Sequence, residues 1–387
     1  MHDAVPLMPP PLTLYVHYPW CVRKCPYCDF NSHALNGAAD EARYFAALKQ
    51  QLEQLLPQIW GRRIHAVFFG GGTPSLMSVA ALEDFLSHAR ALLGFGAEAE
   101  ITLEANPGTA EAEKFTGFRA AGVNRLSLGV QSFDDDKLRA LGRIHTAEQA
   151  RQALEMARAA GFDNFNIDLM FALPGQTVAQ AVEDVRQALA FDPSHLSHYQ
   201  LTLEPNTPFY RQPPAGLPDD ERAAEMQTAC AEVLEAAGLR RYEVSAWSRP
   251  NRQCAHNLNY WRYGDYIGLG AGAHGKLTFA ERGEIWRSQM PASPGAYMEA
   301  MSRGEAGRLW QVEPQERLFE YLLNRLRLFE PFEAADFSAC TGLPAVVLHE
   351  KLAPWVEKGL LQRDADRYRL TELGHNFVDE IVADMLT

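Results

Sequence analysis

Cysteine is scarce in this sequence and unevenly placed along it. Of 387 residues only six are cysteine, and three of these fall within the eight positions from Cys21 to Cys28. This distribution does not resemble a disulfide framework, and a reducing compartment would keep the side chains as thiols. We therefore expect the three clustered cysteines to serve metal or redox chemistry, and Cys230, Cys254 and Cys340 to be ordinary small side chains.

Basic residues and long hydrophobic runs are also lacking. There are 36 Lys and Arg residues against 49 Asp and Glu, a formal net charge of -13. That charge would repel a phosphate backbone, so we expect no nucleic-acid binding. Apolar runs such as His65 to Phe69 are too short for a transmembrane segment, and no signal-peptide pattern opens the chain. We expect a cytoplasmic protein. Peripheral association with a membrane through a membrane-bound partner is compatible with this expectation.

A proline-rich start precedes a regular alternation of strands and helices. Residues 1–11 end in three consecutive prolines and predict a flexible lead-in. The predicted strands of the following core, residues 12–240, are Leu12–His17, Ile64–Gly70, Ile101–Glu104, Arg125–Val130, Asn164–Met170 and His198–Leu203. The predicted helices are Glu41–Leu56, Val79–Leu93, Ala110–Ala121, Ala147–Ala160, Val178–Ala190 and Asp220–Ala237.

Six repeated βα units require parallel strands joined by right-handed crossovers. The predicted fold class is α/β, an incomplete parallel (β/α)6 barrel of the TIM type, with an open doubly wound sheet as the alternative. Residues 241–305 are rich in aromatics and glycine and would complete this core. Residues 306–387 predict a small, mostly helical domain that resembles a winged helix, with a short hairpin near 359–371. An acidic chain favours a packing or partner-docking role for this domain over DNA binding.

The three clustered thiols follow the first predicted strand. Loops at the carboxyl ends of strands are where α/β folds bind ligands. Three thiolates suit an iron–sulfur cluster whose fourth iron stays open for a cofactor, and Arg23 and Lys24 favour the thiolate form. Structural zinc is the alternative, with His17 or His33 as fourth ligand, although no second cysteine pair is present.

This Cys-x3-Cys-x2-Cys loop, with Tyr27 before its third cysteine, resembles that of the radical S-adenosylmethionine (SAM) superfamily. Over about residues 12 to 385 the chain is similar to the oxygen-independent coproporphyrinogen III oxidase branch. The resemblance implies a [4Fe-4S] cluster on Cys21, Cys25 and Cys28, with SAM beside it. It also implies a set of cofactor-binding residues: Tyr15, Tyr27, Gly71, Gly72, Thr73, Glu104, Gln131, Arg143 and Asp168.

These positions also have physical reasons to bind a cofactor. Glycines after a strand let the backbone approach the methionine end of SAM. Glu104 could accept hydrogen bonds from ribose or ammonium, and Arg143 and Asp168 offer opposite charges. A later glycine-rich turn, Gly268 to Gly275, formally matches the dinucleotide fingerprint but lacks the following helix and acidic residue. We predict a tight turn near the cofactor, from which His274 could reach SAM.

Two features separate the chain from the decarboxylating enzymes of that branch and make it similar to radical SAM heme chaperones. Phe30 stands where those enzymes carry a further cysteine, and only twenty residues precede Cys21. The segment His256-Asn257-Leu258-Asn259-Tyr260-Trp261 resembles a motif of the chaperones. His256 is then a candidate axial ligand of heme, with Tyr260 and Trp261 as stacking partners, unless the histidine is a core residue.

The resemblance implies that the protein binds heme and transfers it to acceptor hemoproteins such as respiratory cytochromes, and that a donor protein could supply the heme. Its radical chemistry, if used, would belong to the cofactors. Two competing hypotheses stay open at this point. One is an oxygen-independent coproporphyrinogen III oxidase, and the other is a zinc-stabilised regulator that uses the C-terminal domain on DNA.

Overall fold

A computed structural model describes residues 5–35, 37, 39–108 and 112–386. The strands within these ranges are β1 (Leu12–Tyr18), β2 (Trp20–Cys21), β3 (His33–Ala34), β4 (Arg63–Gly71), β5 (Gly94–Ala105), β6 (Arg125–Gln131), β7 (Phe165–Phe171), β8 (His195–Gln200), β9 (Arg240–Glu243), β10 (Ala246–Ser248), β11 (Asp265–Leu269), β12 (His274–Phe279), β13 (Glu284–Gln289), β14 (Arg308–Gln311), β15 (Phe332–Glu333), β16 (Leu361–Asp364) and β17 (Arg367–Leu370).

The helices are α1 (Glu41–Ile59), α2 (Val79–Leu92), α3 (Phe115–Ala121), α4 (Asp135–Ala140), α5 (Ala147–Ala159), α6 (Val178–Leu189), α7 (Pro208–Arg211), α8 (Asp220–Ala236), α9 (Ala255–Trp261), α10 (Pro294–Ser302), α11 (Pro314–Arg325), α12 (Ala334–Thr341), α13 (Ala345–Glu357), α14 (Glu372–His375) and α15 (Val378–Ala383). The start of the predicted helix Ala110–Ala121 lies outside the described residues. Short 3-10 turns occur at Pro74–Leu76, Ala280–Arg282 and Asp384–Leu386.

A single twelve-stranded sheet, in the order β14-β13-β12-β11-β1-β4-β5-β6-β7-β8-β10-β9, forms the core of the described chain. Its middle part, from β11 to β8, is parallel. The order follows the chain from β4 to β8 with helices between the strands, which is the arrangement that repeated βα units produce. The predicted α/β class and incomplete barrel are therefore confirmed, and the antiparallel strands at both edges were not predicted.

The helices between the parallel strands cover the sheet with an apolar face, and two of them begin at a capping box. In α5 and α6, Thr146 and Thr177 each accept a bond from the backbone of the third helical residue, whose glutamine side chain bonds back to the cap. Such boxes stop fraying at the ends that face the ligand-binding edge. Gly122 ends α3 in a left-handed conformation, which glycine adopts without steric cost. No helix of the described ranges is long and apolar enough to cross a membrane.

One strand begins earlier than predicted. The sequence predicted His198–Leu203, whereas β8 runs over His195–Gln200. The physical reason is a polar interior: the His195 ring is buried and bonds to Asn166 Oδ1 at 2.7 Å and to the Tyr242 hydroxyl at 2.8 Å. Hydrophobic periodicity does not mark a strand whose inward side chains are polar but paired.

The lead-in also differs from its prediction. In its described part, Leu7 is buried in the core of the C-terminal region, and the amides of Val5 and Met8 donate to Gly342 and Ala339 carbonyls. This segment is packed because one leucine finds an apolar site, which local composition does not reveal.

The C-terminal region has the predicted winged-helix character. Helices α11, α12 and α13 precede the β16–β17 hairpin, and β15 completes a small three-stranded sheet. The preceding strand β14 still pairs with β13 of the main sheet, so the sheet extends past the predicted boundary at residue 306.

Candidate functional site

The three clustered cysteines lie at the carboxyl edge of the parallel strands. β1 continues into the short strand β2, which carries Cys21, and the turn after it is closed by a 3.2 Å bond from the Cys28 amide to the Cys25 carbonyl. All three thiols are free and line one cavity. The sequence predicted this grouping, which the backbone turn produces locally.

The thiols share a cavity without forming a single-ion site. Among the residues that the structure describes, no three His, Cys, Asp or Glu side chains are placed to hold one metal ion. In a [4Fe-4S] cluster each thiolate binds a different iron at its own corner, so such a cluster suits thiols that are spread around a cavity wall. Burial raises the pKa of the Cys21 and Cys28 thiols above the usual value, and this opposes ionisation until a metal binds.

The glycines after β4 are required by close packing as well as by any ligand. A Cβ on Gly72 would lie 2.6 Å from the Trp20 carbonyl oxygen, and Gly71 has a φ of 113° with the His17 ring where its Cβ would be. The amides of Gly72 and Thr73 already donate to the carbonyls of Tyr18 and Trp20 at 2.7 and 2.8 Å. These residues therefore fasten the cysteine segment to the sheet, and they line the same cavity.

A buried guanidinium connects the cysteine loop to the sheet. Arg143 Nη2 donates to Asn106 Oδ1 and to the Gly129 carbonyl, both at 2.7 Å, and Nη1 lies 3.6 Å from Cys25 Sγ. Its Nε is buried without a hydrogen-bond partner. Arg143 also lines the cavity, so its positive charge would favour an anionic group there.

Two carboxyl groups line the cavity, Glu104 on β5 and Asp168 on β7, with β6 between their strands. Burial, together with the nearby Asp168, raises the pKa of Glu104 to about 8. Burial also raises the pKa of Asp168, against hydrogen bonds from Asn166 at 2.7 Å and Ser127 at 3.3 Å. Two carboxyls that share a poorly solvated site cannot both ionise easily, so a cationic ligand would be favoured there. A sulfonium or ammonium group meets that requirement.

Gln131 and two residues that sequence reasoning missed complete the wall. Gln131 sits at a bulge in β6 with a φ of 70°, and its Oε1 accepts a 2.7 Å bond from the Tyr199 hydroxyl. Asn106 Nδ2 donates to Thr73 Oγ1 at 2.9 Å, and Asn106 Oδ1 accepts from Arg143. Asn106 immediately follows β5, so its place at a strand end was a signal. Tyr199 gave no such signal, because the predicted strand His198–Leu203 put it near the amino end of a strand, whereas in β8 it lies near the carboxyl end.

Tyr27 and Tyr15 lie on different sides of this cavity. Tyr27 lines it and packs against Phe209 with ring centroids 6.4 Å apart. Tyr15 instead lines a neighbouring cavity of about 370 Å³ and bonds through its hydroxyl to His17 Nδ1 at 3.0 Å. The two cavities share Phe30, Gly71 and Glu104. His274, predicted near SAM, lines the second cavity and not the first.

The predicted heme residues do not share one surface. His256 is 2% exposed, with its ring 5.1 Å from Phe68 and 4.9 Å from Tyr260. Burial lowers the pKa of His256 to about 3, and its Nδ1 has no partner. Tyr260 reaches the second cavity and stacks on Tyr266, whereas Trp261 contacts the guanidinium of Arg327 at 4.4 Å. Of these three residues, Tyr260 lines the second cavity. The packing of His256 is that of a core residue, which was the alternative to heme ligation.

Comparison with known proteins places these features in a family context. Residues 15–188 match the radical SAM superfamily and residues 312–377 match the HemN C-terminal domain. The chain is 46% identical to the heme chaperone HemW of Escherichia coli over 373 residues, which cover 96% of this chain and 97% of that one. It is 44% identical to the heme chaperone HemW of Haemophilus influenzae, with 98% of both chains covered.

A solved structure shares the fold. The coproporphyrinogen III oxidase HemN of Escherichia coli, described as a radical SAM enzyme, superposes with a TM-score of 0.80 over 97% of this chain and 90% of that one. The two sequences are 23% identical, so the likeness concerns the fold alone. The likeness includes the C-terminal region, because the matched span covers nearly the whole chain.

Proposed function

Since this chain belongs to the HemW family of radical SAM proteins, we propose that it is a heme chaperone, which binds heme and transfers it to an acceptor hemoprotein. Respiratory cytochromes are the acceptors we favour, with a separate protein as the heme donor. Near full-length identity of 46% to a protein named as a heme chaperone is the observation that carries the proposal. We place its action in the cytoplasm, where a reducing environment suits six free thiols.

The superfamily implies a [4Fe-4S] cluster and SAM, and the residues present fit both. Cys21, Cys25 and Cys28 would hold the cluster from three sides of the first cavity. When bound, these cofactors supply an electron and a cleavable sulfonium, the source of a 5′-deoxyadenosyl radical. The thiol ligands leave one cluster position open, which suits an amino acid end of SAM.

The protein's own residues would orient SAM by charge and hydrogen bonding. Arg143 would face the carboxylate, while Glu104 and Asp168 would face the cationic end, since all three line the first cavity. Gly71, Gly72, Thr73 and Gln131 supply the close wall, and Tyr27 closes one side. These assignments rest on the fit between the charges in the cavity and the charges of SAM.

Phe30 supports carriage of heme over decarboxylation of a porphyrinogen. It is 60% exposed and stands at the junction of the two cavities, where related decarboxylases carry a further cysteine. A phenyl ring cannot ligate metal or transfer a proton, but it offers an apolar face to a planar macrocycle. Coproporphyrinogen III oxidation is the alternative function, and the experiment below separates the two.

Two assays on the same anaerobic, cluster-loaded protein test the proposal. In the first, hemin is titrated against the protein, and the loaded protein is then mixed with an apocytochrome to follow transfer by the shift of the Soret band. In the second, reductant, SAM and coproporphyrinogen III are supplied beside a known decarboxylase. We expect saturable heme binding, transfer, and no protoporphyrinogen. Protoporphyrinogen above the level without protein would overturn the proposal in favour of the enzyme.

A further inference from the structure

The glycine-rich turn that resembled a dinucleotide loop has a different use. Gly270 and Gly272 adopt left-handed conformations, with φ of 106° and 72°, and the chain then enters strand β12 rather than a helix. A dinucleotide site requires the amino end of a helix at this point, so the turn is not one. The turn instead positions His274, which is the first residue of β12.

Close contacts determine where that residue can lie. A Cβ on Gly268 would come within 1.8 Å of the His274 carbonyl oxygen, and one on Gly272 within 2.3 Å of Asn31 Nδ2. The side-chain amide of Asn31 donates through Nδ2 to the Ala271 carbonyl at 3.0 Å and to the Ala292 carbonyl at 2.9 Å. The turn is thereby tied to the cysteine segment, only three residues after Cys28. A turn held so tightly fixes the backbone of His274.

His274 borders a cavity whose wall suits a flat apolar ligand. The cavity of about 370 Å³ is lined by Phe30, Tyr260 and Tyr266 as well as by His274. The Tyr260 and Tyr266 ring centroids are 4.1 Å apart, and Phe30 is exposed on the cysteine side. Aromatic faces around an opening that reaches solvent would hold one edge of a macrocycle and leave the other edge free.

The imidazole of His274 has the properties of a metal ligand. It is exposed, and within the described residues its ring nitrogens make no hydrogen bond. Partial burial and the cation of Arg287 lower its pKa, so the ring is neutral at pH 7 and has a lone pair available. His256, by contrast, lies beneath Phe68 and Tyr260 and would have to leave that packing to meet an iron atom.

We propose that His274 is the heme iron ligand of this protein, with the porphyrin seated against Tyr260 and Phe30 at the mouth of the second cavity. This assignment rests on the proposed function. The imidazole lone pair forms a bond to ferric iron and one water ligand leaves the iron, with no change of oxidation state. One ligand at an open cavity makes the bond reversible, as a carrier requires.

The test compares three histidine variants in hemin titrations followed at the Soret band. His274→Ala removes the proposed ligand. His256→Phe keeps an aromatic ring against Phe68, and His65→Ala removes an exposed histidine from a separate cavity of about 650 Å³ that Cys340 also lines. Iron and sulfide content and the unfolding temperature are measured for each variant, so that loss of the cluster or of the fold is recognised.

We expect His274→Ala to weaken hemin binding at least tenfold and to lose the spectrum of imidazole-bound heme, with an unchanged cluster. Free imidazole should restore that spectrum, because it can occupy the vacated space. His256→Phe and His65→Ala should bind as the wild type does. Wild-type affinity in His274→Ala, or loss confined to either other variant, would overturn the assignment while the proposed function stands. A wild type that binds no hemin would overturn both.

Discussion

Two neighbouring cavities with a common wall differ in almost every chemical respect. The first contains Cys21, Cys25, Cys28, Arg143 and two carboxyl groups. The second is lined mainly by aromatic rings, together with the imidazoles of His17 and His274 and the shared carboxyl of Glu104. Buried charges with unused bonding capacity suit an ionic cofactor, whereas aromatic faces suit a flat apolar one. Under the proposed function, one edge of the sheet would hold SAM and a porphyrin side by side.

The largest expected effect separates the two cavities outright. Cys25→Ala should abolish cluster assembly, because two thiolates do not hold a [4Fe-4S] cluster. Cys340→Ala, far along the chain, is the matched control and should leave the cluster unchanged. Anaerobic iron and sulfide analysis with visible absorbance measures both variants. Equal loss in the two would contradict the ligand assignment, and heme binding retained by Cys25→Ala would show that the second cavity works independently.

The shared wall should show a pH dependence through Glu104. Its folded pKa of about 8 lies above the unfolded value, so its contribution to stability is present at low pH and is lost as pH rises toward 8. Glu104→Gln stays neutral and should gain about 3 kcal/mol in unfolding free energy relative to wild type between pH 6 and pH 9.

Denaturant unfolding of cluster-loaded protein without SAM, at both pH values, provides that measurement. The same variant should bind SAM more weakly at pH 9, because the carboxylate that faces the cation is missing. Asp136→Asn is a suitable control, since that carboxyl is exposed on α4. Identical pH profiles for Glu104→Gln and wild type would show that Glu104 is ionised in the folded protein throughout this range.

A smaller effect should link the cavities through Asn31. Asn31→Ala removes the two bonds that tie the glycine turn to the cysteine segment, and we expect a loss of about 2 kcal/mol in stability. Both hemin affinity and cluster retention should fall, because the turn and the loop lose their common support. Met8→Ala, a 61% exposed side chain, serves as the neutral control. A change in one cavity alone would show that the turn holds its shape without the amide.

The smallest effect should confine itself to the second cavity. Tyr260→Leu removes a ring against which we propose that the porphyrin sits, and one aromatic stacking contact is worth about 1 kcal/mol beyond the area it buries. Hemin affinity should therefore fall about fivefold, with the visible absorbance of the cluster preserved. Parallel titrations of variant and wild type measure this change. A loss of the cluster in Tyr260→Leu would place that ring in the first cavity's support instead.

Local patterns predicted much of the fold and of the first cavity. The βα alternation predicted parallel strands joined by helices, because each strand and helix has its own periodicity. The cysteine spacing indicated a metal site without any knowledge of the fold. The antiparallel strands β9, β10 and β12 to β14 were missed since they are short and lie in a segment of mixed periodicity.

The second cavity was harder to predict, because its residues gain their roles from contacts across the chain. His256 and His274 are both histidines within aromatic or glycine-rich segments, and nothing local distinguishes them. Their exposures differ because Phe68, from β4, covers one ring, while the turn clamped by Asn31 presents the other. The packed lead-in around Leu7 is another case, since its partner site is formed more than 300 residues later.

By itself, then, the sequence determined the α/β class, the parallel direction of the core strands and the grouping of the three thiols, since each depends on residues close together in the chain. The tertiary structure alone decided which histidine faces a cavity, how Arg143 reaches Cys25 Sγ at 3.6 Å, and that Glu104 belongs to two cavities at once. Solvent exposure and charge environment arise only when distant strands pack, so no local pattern encodes them.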